Sequence, residues 1–472
     1  AALAAAVAGS DQLTALATSG TNTSEFGGQV TVTGGFVVNS TGDADDANPG
    51  NGVCETSTPG QCTLRAAITE ANAFAGTDTI NFNIPTGDPN YTASPVSFTI
   101  QPQSLLPAIS TPMVLDASTQ PEYATANRPV IEVDGVDVSA GEENGFYLTG
   151  GGATVRGFVL NNWGDDAIDV EFNDGNTIVG NYVGTNVTGT AAQANAWGIN
   201  LKTANNIIGG TTAADRNVVS GNLYDGFYIY NATATGNLIQ GNYIGTNAAG
   251  TAAVSNGSNG LYVFSGAHDN TIGGPTTVHG NVISGNGTGE AGIFITGSTT
   301  SANIVHNNYI GTTAVGDAAI PNTLHGIRVT NAPDTQILDN LISGNDVHGI
   351  YVYDFDSTGT QILRNTIGTN AGVDARIDNL YDGVRLEGNS SGTIVGSPGN
   401  GNVIAGNTQH GVNVNSAANN TIQGNFIGTD PTGLIDLGNT LSGVYFDAFA
   451  PSNNLIEGNT IAFNAEGVTM LS

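Results

Sequence analysis

NIVHNNYIGT, residues 303–312, decides the fold, because the chain repeats it. The pattern returns as NTIVGNYVGT at 176–185, NLIQGNYIGT at 237–246 and NTIQGNFIGT at 420–429, with a shorter QILRNTIGT at 361–369. The closing glycines, Gly184, Gly245, Gly311, Gly368 and Gly428, stand 61, 66, 57 and 60 residues apart. Such self-similarity marks a repeat architecture, in which each unit buries its apolar face against the next. Each module holds two coils. Coils begin at Thr154, Asn176, Asn205, Asn237, Asn270, Asn303, Thr335, Thr360, Gly392, Asn420 and Asn454, spaced by 22 to 34 residues.

A second signature, G-(I/V/L/F)-x-(V/I/L), supplies another strand per coil. It reads GINL at 198–201, GLYV at 260–263, GIFI at 292–295, GIRV at 326–329, GIYV at 349–352, GVRL at 383–386, GVNV at 411–414 and GVYF at 443–446. Alternation turns one set of side chains inward and the next outward. Stacked coils then place Ile over Ile in the core and Asn over Asn at the turns, where amide ladders satisfy themselves along the stack. The expectation is an all-β, right-handed parallel β-helix solenoid with three short strands per coil. An antiparallel sandwich has no need of one triplet order in every coil, and a propeller needs four strands per blade.

Composition narrows the function. Forty acidic residues face nine basic ones, a net charge of −31, and Lys202 is the single lysine. That balance excludes nucleic-acid backbones as partners, since phosphate neutralisation needs clustered Lys and Arg. No run of about 20 apolar residues predicts a transmembrane helix. Cys54 and Cys62 are close enough to close a small disulfide loop, which with the rest of the composition points to a secreted or cell-surface protein.

The ends depart from the repeat. Residues 1–35 read as an arm or an added strand, 36–82 as a cap, 83–153 as the first irregular coils and 154–472 as the regular β-helix. Within the cap, TLRAAITEANAFA has helical spacing, with Leu64, Ala67, Ile68 and Ala71 on one face. Such a helix can plug the open top of a solenoid. The run FVVNSTGDADDANPGNGVCETSTPGQCTLRAAITEANA, residues 36–73, resembles the CSLREA domain at the start of bacterial secreted β-helix proteins. DTINFNIP at 78–85, TPMVLDASTQPEY at 111–123 and NGFYLTGGGATVRGFVLNN at 144–162 are similar to those proteins as well. The resemblance implies architecture and export, and no particular reaction. The last coil stops at Ser472 on an apolar strand, so end-to-end self-association into a filament is a further expectation.

Candidate chemistry is sparse. Asp165, Asp166 and Asp169 in WGDDAIDV resemble part of a polygalacturonase site, where carboxylates serve as acid and base. The N-T-D, G-H-G and R-I-K elements of that family are missing, so the three read as a solvated acidic turn. Asp43, Asp45, Asp46 and Asn48, followed by Gly50, resemble a calcium loop, although the terminal Glu of an EF-hand is lacking; a plain acidic turn is the equal alternative. Arg328 and Arg385 hold equivalent third-strand positions and read as surface residues paired with nearby Asp. Tyr228, Tyr230, Tyr262, Tyr351 and Tyr353 lie on third strands, where they pack the wall or line a sugar-binding face. Two functions emerge: an extracellular structural or adhesive protein, and a solenoid that binds or degrades polysaccharides such as cell-surface glycans.

Overall fold

The computed structural model describes residues 16–19, 22–25, 35–138, 143–289, 291–447 and 453–471. The chain is the predicted parallel β-helix. Three sheets of 14, 14 and 12 strands run along it, each strand pairing with its counterpart one coil away. The pairing is parallel throughout these sheets except for Tyr91–Ala93, which runs antiparallel to Val96–Ile100.

Register follows the repeat. Ile208 pairs with Ile239 in the first sheet, Ile283 with Ile310 in the second and Ile293 with Ile327 in the third. All six are fully buried in one continuous core. The glycine of the third-strand signature is required by the neighbouring coil: a Cβ on Gly226 would stand 2.7 Å from the Gly260 carbonyl oxygen.

The expected asparagine ladders are present at the turns. Asn308 Nδ2 donates to Asn340 Oδ1 at 3.0 Å and to the Ile272 carbonyl at 2.9 Å. Its own Oδ1 accepts from the backbone and side-chain N–H of Asn281 at 3.0 and 2.8 Å. Each amide thus satisfies backbone that the turn would otherwise bury unpaired.

The cap region feeds the solenoid directly. Gly35–Val38 and Asp78–Phe82 are the first two rungs of the first sheet. The helix spans Leu64–Asn72, and Thr63 caps its start by accepting the Ala66 N–H at 3.1 Å. Leu64, Ala67, Ile68 and Ala71 are fully buried with Phe36, Ile80 and Phe82. Cys54 and Cys62 form a disulfide just before it. Arg65 pairs with Asp43 at 2.9 Å and donates to the carbonyls of Ser104 and Leu105 at 2.8 and 2.7 Å. That bridge ties the Ser104–Leu105 segment to the cap helix.

Of the reading of residues 1–35, most falls outside the described residues. Leu16–Ser19 and Asn22–Glu25 pair antiparallel as a two-stranded sheet of their own. At the other end Val468, Met470 and Leu471 are exposed. Among the described residues no helix is long and apolar enough to cross a membrane.

Candidate functional site

The outer face of the third sheet collects the polar and aromatic side chains that break the repeat. Its outward column begins Tyr147, Asp169, Asn200, held in line by the pairing of Asp169 with Tyr147 and with Asn200. Beside it lie Glu171 and Lys202, which follow the same strands. Asp166 joins the cluster from below: Asn200 Nδ2 donates to its Oδ2 at 2.8 Å, and its backbone N–H donates to Asn144 Oδ1 at 3.2 Å.

Asp166 and Asp169 are therefore not a solvated turn. They are 5% and 3% exposed. Burial pushes the Asp166 carboxyl up to about 7, and the neighbouring Asp169 and Asp165 add to the rise against the Asn200 bond. Burial also raises Asp169, opposed by Lys202. Lys202 Nζ lies 3.0 Å from Asp169 and 3.4 Å from Glu171. Its own burial would lower its ammonium, but the two carboxylates outweigh that and hold it charged. Tyr147 donates to Glu171 at 2.8 Å, and burial with that bond pushes its hydroxyl up to about 12.

Asn144, Tyr147, Asp165, Asp169, Glu171 and Lys202 line a cavity of about 530 Å³, closed on one side by Leu105 and Leu106 and rimmed by Phe172, with Asp166 and Asn200 behind the lining. Phe172 is 70% exposed, has a backbone φ of 71° and meets the Tyr147 ring edge-on at 6.4 Å. A bulky residue at positive φ is an outlier that a surrounding structure must hold in place. Within this cluster Asp169 Oδ1 and Asn200 Oδ1 are buried without a hydrogen-bond partner among the described residues. Buried acceptors left open in this way call for a donor.

Further along the face the column turns aromatic, and the tyrosines lie outward, half-buried. Trp197 stacks on Tyr224 at 4.6 Å, Tyr228 meets Phe264 at 4.8 Å, and Tyr262 lies parallel to Phe264 and Phe294 at 4.4 and 5.1 Å. Arg328 sits over Phe294 at 5.2 Å and over Tyr351 at 5.4 Å. Arg385 is paired as expected, with Asp382 at 3.3 Å and also with Glu387 at 2.7 Å.

The acidic loop of the cap is engaged internally. Asp43 is held by Arg65 and accepts the Gln103 N–H at 2.8 Å. Asp46 accepts the N–H groups of Asn48 and Glu55 at 2.8 and 3.1 Å, while the Asp45 side chain is 91% exposed. Among the described residues no group of three or more His, Cys, Asp or Glu is placed to hold a metal ion.

Asn144, Tyr147, Glu171, Phe172, Asn200 and Lys202 escaped the sequence reading as site residues. The signal was available for Asn200, since it fills the x position of GINL; Lys202, the lone lysine, lies just beyond that strand.

The family described as periplasmic copper-binding protein (NosD) matches residues 370–472. No curated protein matches the chain. Among solved structures, the A-module of the Azotobacter vinelandii mannuronan C-5 epimerase AlgE6 is similar at 16% identity and a TM-score of 0.50, covering 84% of this chain and 94% of that one. A mutant of the periplasmic alginate epimerase AlgG aligns at 13% identity and a TM-score of 0.38, over 84% of each chain. The Dettilon tailspike protein aligns at 14% identity and 0.36, over 87% of this chain and 64% of its own. These are parallel β-helix proteins, and the chain shares that fold.

Proposed function

We propose that the outer face of the third sheet binds a neutral, hydroxyl-rich polysaccharide laid along the solenoid axis. The observation that carries this reading is the carboxylate-lined cavity, with the unpartnered buried acceptors Asp169 Oδ1 and Asn200 Oδ1 in its wall, at the head of a continuous aromatic strip. Sugar hydroxyls are donors that fit the carboxylates lining this cavity, and flat apolar rings next to it offer surface for the carbohydrate C–H faces. Coils repeat at about 4.8 Å, so the strip presents a regular series of platforms along one direction.

Charge selects the class. Asp165, Asp169 and Glu171 line the cavity against one lysine, and the whole chain carries −31. A polyuronate would meet that field unfavourably. The mannuronan epimerases share the fold alone, and their substrate does not transfer with it. Turnover is not needed for the reading: Asp166 stands behind the cavity lining and acts through Asn200. Adhesion to a cell-surface glycan is the use that such binding serves best. The Cys54–Cys62 disulfide and the CSLREA-like cap support export to an oxidising compartment.

A second reading is end-to-end assembly through the last coil, where Val468 and Met470 are 45% and 66% exposed. Such a face accepts one more coil in register, from a second copy or from further chain. Sedimentation over a wide concentration range separates these, because self-association depends on concentration.

Affinity electrophoresis in gels cast with glucan, mannan or xylan tests the glycan reading, with alginate and polygalacturonate as the charged controls. Retardation by a neutral glycan, weakened in Asn200→Ala, is expected. Binding confined to the uronates, or to nothing, overturns the proposal.

A further inference from the structure

Seven coils beyond the first cluster, the same constellation is built again from different stretches of sequence. Asn413 Nδ2 donates to Asp382 Oδ2 at 3.1 Å, as Asn200 does to Asp166. The Asp382 N–H donates to His348 Nδ1 at 3.1 Å, where the Asp166 N–H reaches Asn144. Tyr351 donates to Glu387 at 3.0 Å, as Tyr147 does to Glu171. Arg385 neutralises Asp382 and Glu387 where Lys202 neutralises Asp169 and Glu171.

The register is equivalent in both places. Tyr351 pairs with Arg385 and Arg385 with Asn413, as Tyr147 pairs with Asp169 and Asp169 with Asn200. Asn413 Oδ1, in a residue 5% exposed, is again a buried acceptor with no partner among the described residues. Asp382 is fully buried. An open acceptor in the same position of both clusters is not demanded by the coil repeat, since the intervening coils place Tyr228, Tyr262 and Phe294 there.

His348 accepts a backbone N–H at Nδ1, so its proton sits on Nε2. His325 Nδ1 accepts the His348 N–H at 3.4 Å and stacks on its ring at 5.2 Å. Both are therefore neutral hydrogen-bond donors at Nε2, a complement to the open acceptor of Asn413.

We infer that His348, Tyr351, Asp382, Glu387 and Asn413 form a second glycan subsite, and that one polysaccharide chain spans both subsites across the aromatic strip. The inference rests on the glycan reading of this face. Seven coil steps at about 4.8 Å each separate the two by about 34 Å. A short oligosaccharide reaches one subsite, and a long one gains from both through effective concentration.

The test uses the full chain with soluble glucan, mannan and xylan, and with short and long oligosaccharides of each, by isothermal titration calorimetry. Asn413→Ala is expected to weaken polymer binding on the order of 100-fold while short oligosaccharides still bind the first subsite. Asn200→Ala is expected to weaken polymer binding to a similar extent, leaving short oligosaccharides at the second. Tyr351→Phe, which keeps the ring and removes the bond to Glu387, checks that a loss in Asn413→Ala is not a folding defect. Wild-type polymer affinity in both Asn413→Ala and Tyr351→Phe, with loss in Asn200→Ala, overturns the second subsite and leaves the first standing. Absence of binding to every neutral glycan in the wild type removes the reading on which both depend.

Discussion

Replacing Phe172 by Asn should make the protein more stable and a poorer binder at once. The corner after most third strands turns through the left-handed region. Elsewhere along the solenoid small residues stand there, mostly ones suited to it: Asn231 at φ 80°, Asn331 at 53°, Asp354 at 77° and Gly388 at 69°, with Ser265 at 52° and Ser416 at 54°. Phe172 occupies the same corner at φ 71°. An L-residue in that conformation costs roughly 1–2 kcal/mol, and Asn bears it best after Gly. Little offsets the cost, because Phe172 is 70% exposed and its edge contact with Tyr147 is worth about 0.5 kcal/mol at such exposure. Phe172→Asn should therefore gain about 1 kcal/mol, whereas Phe172→Gly should gain less because glycine also loosens the unfolded chain. A solenoid does not unfold all-or-none, so the gain is best read as slower amide exchange in residues 166–173. The affinity for a neutral glycan should fall about tenfold, or ~1.4 kcal/mol, as a rim platform is lost. A Phe172→Asn protein that is less stable, or that binds as the wild type does, refutes the argument that strain is retained here for contact with a ligand.

Other perturbations have equally definite outcomes. Asn308→Ala, in the middle of a ladder, strips partners from Asn281, Asn340 and Ile272, and should cost ~3 kcal/mol in local exchange protection; Asn459→Ala, in the last coil and only partly buried, should cost less. Asp166 has a folded-state value of about 7, above its unfolded one near 3.8, so the protonated form is favoured by folding. Stability from this group is present below about pH 4 and is lost as pH rises towards 7, by roughly 2–4 kcal/mol; Asp166→Asn should flatten that part of a thermal-melt pH series, and an unchanged slope counts against the assignment. Replacing Cys54 and Cys62 by Ser opens a short loop and should cost about 2–3 kcal/mol, confined to the cap, as read by proteolysis near the Leu64–Asn72 helix.

The architecture was legible because it is written in every coil. The Ile pairs, the turn asparagines and the third-strand glycines each recur at a fixed place, and stacking turns recurrence in sequence into contact in space. The helix at Leu64–Asn72 was legible for a different reason: its apolar spacing differs from the period of two around it. The site was less so. Asp165, Asp166 and Asp169 were visible as an acidic run, yet their burial depends on Lys202 and Asn200, which come from the next coil. Tyr147 and Asn144 come from the coil before. A cluster assembled across three coils has no signature within any one of them. The second constellation was hidden more deeply, since His348 and Arg385 replace Asn144 and Asp169, and Asn415 stands where Lys202 does in the first.

Function on such a scaffold lies in departures from the repeat. Inward columns are held to Ile, Val, Leu and Phe by the core, and the turn columns to Asn by the ladders. The outward x position of the third strand bears neither constraint, so its occupants differ from coil to coil: Asp169, Asn200, Tyr228, Phe294, Arg328, Asn413. Chance variation on an exposed strand would favour small, self-satisfied polar residues. What stands there includes half-buried aromatics in contact, two Asn side chains that each keep one acceptor open, and charges neutralised in place. Each of these costs stability unless a partner uses it. The same reasoning marks Phe172 as a departure at a corner that Asn or Gly serves better. A face that keeps its costs at two ends and flat rings between them is organised for something long, and the spacing of its coils sets the repeat of whatever lies there.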